Sequence, residues 1–221
     1  MHLDFSSVFA NLPFILAGFQ VTLWLSLLTA VGATCVGLLL GLGRLYGPRW
    51  LSVILTFYID TMRSIPEVVV MIWIFLAVPI LSGLSLPPFY AALLALTLQV
   101  SAYVAEVLRA GINSIRRGQT QAGLTLGMSG SQIIWKILMP QAAIRMLPSY
   151  GSVLTIIIKD TAIAALIAVP ELVHNSDVLV LKIYRSTELF TTAMVLYFIV
   201  LFPTTRLIEF IYRRVQHLGR S

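Results

Sequence analysis

The second long apolar run of the chain carries three ionisable side chains. In the stretch FYIDTMRSIPEVVVMIWIF, Asp60, Arg63 and Glu67 follow one another at intervals of three and four residues. On a continuous α-helix this spacing places all three on one face. Charges inside a bilayer are costly unless they pair or line a wet cavity. Two roles fit: Arg63 neutralises its two neighbours, or the three groups line a pathway for a polar solute. A kink is expected at Pro66, which lacks an N–H group.

A second polar group lies in the middle of the fourth apolar run, IIIKDTAIAALIAV. Lys159 and Asp160 are adjacent and therefore about 100° apart around a helix, which is poor geometry for pairing with each other. Each is expected to face a partner on another helix or a polar cavity. Lys159 reaching the membrane surface is the alternative, but its position in mid-segment favours a pathway role. We assign Thr161, the next residue, to the same candidate pathway.

Recognisable catalytic and cofactor motifs do not accompany these charges. None of the three lysines follows a glycine, so a GxxxxGK[ST] phosphate-binding loop is excluded. The histidines are too far apart for metal-ligand spacing, and GxSxG does not occur. Glu106 and Arg109 form an ordinary i, i+3 ion pair near a helix end. We therefore expect neither an enzyme nor a bound cofactor or metal in this chain.

Composition places the chain in a membrane. Hydrophobic residues make up 58% and charged residues 11% of 221 residues, and the mean hydropathy is +0.92, whereas a soluble domain carries roughly a quarter charged residues. The net charge is +6. The basic residues lie between apolar runs and form no aromatic-basic stripe, so a nucleic-acid partner is not expected. The pattern predicts one all-α integral membrane domain over 1–221, with five transmembrane helices at about 12–42, 51–81, 89–115, 149–169 and 189–211.

Lysine and arginine predict the orientation of these helices. Basic residues occur in the first connection, the third connection and the tail: Arg44 and Arg49; Arg109, Arg116, Arg117, Lys136 and Arg145; Arg213, Arg214 and Arg220. The N-terminal segment and the Ser82–Pro88 connection have none, and the fourth connection has Lys182 and Arg185. Since basic loops stay in the cytoplasm, we expect the N-terminus outside and the C-terminus inside. The polar loop 116–142 is then cytoplasmic.

The cytoplasmic loop has the local signals of two short helices. Thr120–Leu126 can form the first, and Gly127 is suited to a left-handed stop. Ser129-Gly-Ser-Gln132 matches a capping box that starts the second helix, and Pro140 is expected to end it. An amphipathic pair of this kind can lie on the membrane or dock into a partner, and periodicity alone leaves both open.

The same loop resembles a known family. GQTQAGLTLGMSGSQIIWKILMPQA is similar to the EAA loop of ABC-transporter membrane subunits, specifically the permeases for polar amino acid uptake. Upstream, AYVAEVLRAGINSI resembles the helix before that loop and MRSIP resembles its R-G-T-P segment. KDTAIAALIAVPEL resembles its K-D-T-S-L stretch, and the resemblance runs from about Leu12 to Arg214. The family pattern, close to GQ-x-EAA-x-x-LG-M/L-S and then LPQA, is matched by Gly118, Gln119, Ala122, Leu126, Gly127, Met128, Ser129, Pro140, Gln141 and Ala142.

The resemblance implies a subunit of an importer in the bacterial cytoplasmic (inner) membrane. Its loop would be a coupling helix on a cytoplasmic ABC ATPase dimer, where ATP and Mg²⁺ would bind. A second permease, identical or sister, and a periplasmic or extracellular amino-acid-binding protein would complete the complex. The implied ATPase contacts are Gly118, Gln119, Gln121, Ala122, Gly123, Gly127, Met128, Ser129 and Pro140. Gln121 and Gly123 depart from the family, because EAA has become QAG.

Two other classes of function stay open on the residues alone. A channel or ion-coupled secondary transporter for a small polar solute could also place these charges in the membrane. It would not need a capped cytoplasmic helix pair, and five crossings do not divide into two equal inverted repeats. A membrane enzyme lacks a recognised catalytic cluster. The sequence does not specify the amino acid, since both signs of charge are present, nor whether the permease pairs with itself.

Overall fold

The computed structural model describes residues 4–219, and every regular element in that range is helical. The helices in chain order are α1 (Ser6–Ala10), α2 (Leu12–Tyr46), α3 (Arg49–Ser64), α4 (Glu67–Ser82), α5 (Pro88–Asn113), α6 (Arg117–Thr125), α7 (Gly130–Ile133), α8 (Met139–Asp160), α9 (Leu172–Ile183) and α10 (Ser186–Val215). A π-helical turn, Ile134–Leu138, joins α7 to α8, and 3₁₀ segments cover Thr161–Ile167 and Gln216–Gly219. The all-α prediction is confirmed.

Four helical stretches are long and apolar enough to cross a membrane: Leu12–Tyr46, Pro88–Asn113, Gly130–Ile167 and Ser186–Val215. The pair α3 and α4 passes the same test together but is bent by 106°. If the bent pair is one span, the described residues contain five. The predicted number of crossings is therefore confirmed only as four to five.

The second predicted crossing, 51–81, is two helices, α3 and α4, which meet at the predicted kink, and the bend there is 106°. Pro66 cannot donate a backbone hydrogen bond, and Ile65 before it is extended at φ −87° and ψ 135°, as sterics before proline favour. The amide of Gln99 in α5 donates to the Ile65 carbonyl at 2.8 Å and so stabilises the break. Because of this break, Asp60 and Arg63 lie on α3 and Glu67 begins α4. The prediction that the three share one helix face is wrong.

The helical segment that contains the fourth predicted crossing starts before residue 149. Pro140 does not end the second loop helix, because it lies in the first turn of α8, where a missing N–H group costs nothing. The π-helical turn before it keeps the chain helical. The run from Gly130 to Ile167 is therefore one helical segment with local changes of winding. The helix α9, capped by the Glu171 side chain accepting from the His174 N–H at 2.7 Å, was not predicted.

The core is built around α5. Its small buried residues, including Ala91, Ala95, Ala102 and Ala105, let neighbouring helices approach closely. α4 packs against the N-terminal half of α5 through Met71 and Ile74. α3 packs against its C-terminal half through Ile59, and the Tyr58 hydroxyl donates to the Leu98 carbonyl near the middle of α5 at 2.9 Å. α2 and α8 cover other faces. The break between α3 and α4 thus falls beside the middle of α5.

Candidate functional site

A polar cavity of about 330 Å³ opens at the break between α3 and α4. The break, α5 and the C-terminal end of α8 supply its walls, which are lined by Arg63, Ser64, Ile65, Pro66, Glu67, Gln99, Val100, Tyr103, Ile156 and Asp160. Its volume is at the lower end of the range of about 300–1,000 Å³ that is usual for small-molecule sites. Charged groups of both signs meet here.

The acidic side of the cavity is formed by two carboxyl groups. Glu67 starts α4 and Asp160 ends α8, and their side chains interact directly. Gln99 also lines this cavity. The helix break brings Glu67 to this point, because on a straight helix it would continue along the face of Asp60 and Arg63.

The basic side of the cavity is Arg63. Its guanidinium lies 5.9 Å from the centre of the Tyr103 ring and 3.9 Å from the Glu106 carboxylate. Glu106 is already bonded by Arg44 at 3.0 Å and by Arg109 one turn further along α5. Within the described residues no ion pair joins Arg63 to Asp60 or Glu67, so the neutralising role is not seen, and Arg63 instead lies beside Glu106.

The other predicted pathway residues lie elsewhere. Asp60 is exposed on α3 outside the cavity lining. Lys159 is exposed on a different face of α8, in hollows shared with α10, because adjacent helix residues point about 100° apart. Thr161 is buried and its hydroxyl donates to the Ile158 carbonyl. The structure thus brings together three of the six residues: Arg63, Glu67 and Asp160.

Sequence reasoning missed Gln99 and Tyr103 and underestimated Glu106. Gln99 is a polar residue inside an apolar helix, and that signal was available in the sequence. Its partner at Ile65 was not, since the contact depends on how sharply α3 and α4 bend. The sequence likewise indicated only Arg109 as a partner of Glu106. The fold adds Arg44 from α2 and Arg63 from α3, because contacts between helices depend on the packing.

The loop 116–142 forms the helix–stop–helix that its sequence predicts. α6 ends just before Gly127, which has φ +74°. The Ser129 side chain then accepts from the Gln132 N–H, and the Gln132 side chain accepts from the Ser129 N–H at 2.9 Å, which completes the capping box. This geometry is therefore determined by residues within the loop itself, namely the glycine at the stop and the Ser129–Gln132 capping box.

Gly123, one of the two departures from the family pattern, is buried between the loop helices. A Cβ at this position would lie 2.8 Å from Ile133 Cγ1 and 3.2 Å from Ile137 Cδ1. That contact is too close for an alanine without a shift of α6 or Ile133. The glycine therefore allows α6 to pack tightly on the start of the following helix.

The outer surface of the loop is apolar and basic. Leu124, Leu126 and Trp135 are 59%, 80% and 59% exposed, and Arg116, Arg117 and Lys136 are exposed beside them. No acidic residue occurs between Glu106 and Asp160. Of the predicted contact residues, Gly118, Gln121, Ala122, Gly127, Ser129 and Pro140 are exposed, Gln119 and Met128 are half-buried, and Gly123 is buried. A surface that combines exposed apolar and basic side chains fits either a protein partner or the membrane surface.

Comparison with known proteins gives consistent results. A family profile described as binding-protein-dependent transport system inner membrane component matches residues 33–217. The chain is 33% identical over 217 residues to the glutamine transport system permease protein of Escherichia coli K12, covering 98% of this chain and 97% of the relative. It is 29% identical over 216 residues to the arginine transport system permease protein of Bacillus subtilis, covering 98% and 99%.

Solved structures show the same fold. A crystal structure of an amino acid ABC transporter with histidines superposes with a TM-score of 0.90 at 28% identity, covering 97% of this chain and 100% of that one. The MetNI methionine ABC transporter in an inward-facing conformation gives a TM-score of 0.81 at 19% identity, covering 93% and 98%, which bears on the fold alone. The chain therefore belongs to the family of inner membrane components of binding-protein-dependent transport systems.

Proposed function

We propose that this chain is the membrane-spanning permease subunit of an ABC importer for a polar amino acid. The observation that carries this proposal is a single helical run. Gly130–Ile167 starts at the capping box of the cytoplasmic loop and carries Asp160 into the polar cavity. A displacement of the loop would be transmitted along this continuous helical segment to the cavity. The relatives that transport glutamine and arginine support the substrate class.

The complex is completed by other chains. The loop from Gly118 to Pro140 contacts a cytoplasmic ABC ATPase dimer, which binds ATP and Mg²⁺; this permease contributes no catalytic residue. Its exposed leucines and tryptophan enter an apolar groove on that partner. A second permease, identical or sister, packs against the apolar outer faces, and a binding protein delivers the amino acid from outside. The location is the bacterial cytoplasmic membrane.

Import is tested by reconstitution. The assembled complex in proteoliposomes, with binding protein and radiolabelled L-glutamine, L-arginine, L-histidine and L-glutamate in turn, should take up one or more of them only with ATP. A vesicle with an ATPase variant unable to hydrolyse ATP should give background uptake. Equal uptake without ATP hydrolysis would identify a channel or secondary transporter instead.

The orientation is part of the same proposal: the N-terminus lies outside, the C-terminus in the cytoplasm, and α3 with α4 forms one crossing. The packing along α5 supports one crossing. The first helix of the pair, α3, starts beside Arg44 at the C-terminal end of α2, where the Ser52 hydroxyl donates to the Arg44 carbonyl. The second helix, α4, reaches Ala91 near the N-terminal end of α5. The alternative, a re-entrant pair, would return Ser82 to the side of Arg49.

Cysteine labelling distinguishes these topologies. In a Cys35→Ala background, cysteines at the exposed residues Ser82 and Ser186 should react with an impermeant maleimide added to intact spheroplasts. Cysteines at Gly118 and Gly130, which are also exposed, should react only after permeabilisation. Labelling of Gly118→Cys from outside would contradict the orientation, and protection of Ser82→Cys alone would contradict the single crossing.

A further inference from the structure

A hollow of about 460 Å³ lies between α8 and α10. It shares no lining residue with the polar cavity at the helix break. Two of its lining side chains are cations, Lys159 and Arg206, and both are exposed. Three others are the apolar α10 residues Phe198, Leu201 and Phe202. The hollow therefore combines a positively charged part with an apolar wall.

The ammonium group of Lys159 has no partner among residues 4–219, which supply it with neither a hydrogen bond nor an ion pair. Lys159 lies inside Gly130–Ile167, one of the helical runs apolar enough to cross a membrane. A charge in such a run is costly unless it meets an opposite charge or water. The flexible four-carbon stem lets the ammonium reach along the helix towards the membrane surface. An acceptor for Lys159 must therefore come from another molecule.

Arg206 keeps donors for the same acceptor. Its guanidinium lies 5.2 Å from the centre of the Phe202 ring and bonds Glu209 at 3.1 Å. Glu209 is also bonded by Arg213 at 2.6 Å, so one carboxylate serves two guanidiniums. A guanidinium has five N–H donors, and the Arg206 side chain is 64% exposed. The lining residues of the hollow thus include two cations and no carboxylate.

Arg206 also marks one end of the apolar part of α10. Between Glu188 and Arg206 no charged residue occurs, and this stretch has about the length of 17–25 residues that a crossing needs. In the orientation proposed above, Arg206 lies at the cytoplasmic boundary of the bilayer, at the level of the lipid phosphates. Leu201 lines the hollow with Lys159 and precedes Arg206 by about 7.5 Å along the helix. Lys159 therefore lies only slightly deeper in the bilayer than Arg206.

A second permease is the other molecule that could cover this hollow. If the hollow met its own copy across a two-fold axis, the second Lys159 and Arg206 would be brought to the same place. Like charges would then face each other where water screens them poorly. Glu209, the carboxylate beside the hollow, is already bonded by two arginines. A phospholipid instead supplies a negative charge for the cations and acyl chains for the apolar wall.

We infer that the hollow between α8 and α10 binds an anionic phospholipid. Its phosphate accepts from Lys159 and Arg206, and an acyl chain lies along Phe198, Leu201 and Phe202. Basic pockets between membrane helices on the cytoplasmic side bind the headgroups of anionic lipids in this way. The inference goes beyond the proposed import function and does not depend on it, because a lipid binds here whether or not ATP is hydrolysed.

Lipid titration tests this site. The permease, with the chains that co-purify with it, is titrated in a nonionic detergent with dioleoylphosphatidylglycerol or dioleoylphosphatidylcholine, and native mass spectrometry measures the bound lipid. Phosphatidylglycerol should bind about tenfold more tightly or better, as expected for two cations beside one anionic headgroup. Inorganic phosphate at the same concentrations should not displace it, because phosphate has no acyl chain. Equal binding of the two lipids, or displacement by phosphate, would overturn the inference.

Charge-removing variants assign the preference to the hollow. Lys159→Gln combined with Arg206→Gln should reduce the preference for phosphatidylglycerol to within about twofold. Lys182→Gln combined with Arg214→Gln is the matched control: Lys182 is exposed on α9, and Arg214 lies 5.1 Å from a phenylalanine ring of α10, as Arg206 does at 5.2 Å. The control should keep the full preference.

A single variant covers the case in which the double variant does not assemble. Arg206→Gln alone changes an exposed side chain and should lower the preference at least about threefold, since one of the two cations remains. A preference that is unchanged in the variant that assembles, or that falls equally in the control, would contradict the site.

Photocrosslinking identifies what covers the hollow in a membrane. Phe198, which is 60% exposed, is replaced with p-benzoyl-L-phenylalanine, and the complex is placed in nanodiscs of phosphatidylglycerol and phosphatidylethanolamine. Irradiation should attach a phospholipid to the peptide that contains position 198, as measured by mass spectrometry. A crosslink to a second permease chain would assign the hollow to the interface between permeases and overturn the lipid site.

Discussion

Replacing Glu106 with alanine should lower the melting temperature of the permease by about 4–8 °C, which corresponds to about 2 kcal/mol for a chain of this size. Glu106 is the common partner of three arginines from α2, α3 and α5, with 21% of its side chain exposed. Without it, the guanidiniums of Arg44, Arg63 and Arg109 repel one another. Breaking a fully buried ion pair costs about 3–5 kcal/mol, and partial exposure reduces that figure here.

Glu209 provides the matched control. It also binds two arginines, Arg206 at 3.1 Å and Arg213 at 2.6 Å, but it is 41% exposed on α10 and joins no other helix. Glu209→Ala should therefore change the melting temperature by no more than about 2 °C, as expected for surface ion pairs. Thermal denaturation of both variants in one detergent makes the comparison. Equal shifts for Glu106→Ala and Glu209→Ala would show that Glu106 does not hold the three helices together.

Features that depend on neighbouring residues were predictable from the sequence. The capping box at Ser129, the left-handed stop at Gly127 and the separation of Lys159 from Asp160 around α8 follow from interactions within four residues of the chain. Long apolar runs likewise predict crossings, because the bilayer requires about 20 residues of any apolar sequence. Each of these properties is set by local geometry.

Features that depend on distant residues were not predictable. Proline predicts a kink at Pro66 but not a bend of 106°, which is set by how α3 and α4 pack on α5. That bend separates Glu67 from Arg63 and brings it to Asp160, more than ninety residues away in the chain. Gln99 and Glu106 acquire their roles in the same way. The candidate cavity is therefore a product of tertiary packing, while the helix–stop–helix of the loop 116–142 is largely a product of local sequence.

Replacing Gly127 with aspartate should reduce ATP-driven uptake about tenfold or more while leaving membrane insertion intact. Gly127 has φ +74°, and no heavy atom of the described residues lies within 4 Å of the position where its Cβ would stand. A side chain would therefore clash with nothing in the chain and would project from the loop towards the ATPase proposed to dock there. The left-handed backbone adds about 1–2 kcal/mol of strain.

Two control variants separate the effect of backbone strain at residue 127 from the effect on the proposed contact with the ATPase. Gly127→Asn has nearly the same volume as the aspartate and a similar tolerance of the left-handed conformation but no charge, so uptake should fall less if the charge contributes to the loss. Gly83 has φ +71° and equally open surroundings in the connection between α4 and α5. Gly83→Asp therefore carries the same strain away from the loop and should transport normally. Co-purification of the ATPase with each variant should show loss of the partner for Gly127→Asp alone. If Gly127→Asp retains the ATPase and imports its amino acid like the unmodified protein, the loop does not couple ATP hydrolysis to transport, because strain, charge and bulk at its exposed stop would then have no effect on the partner.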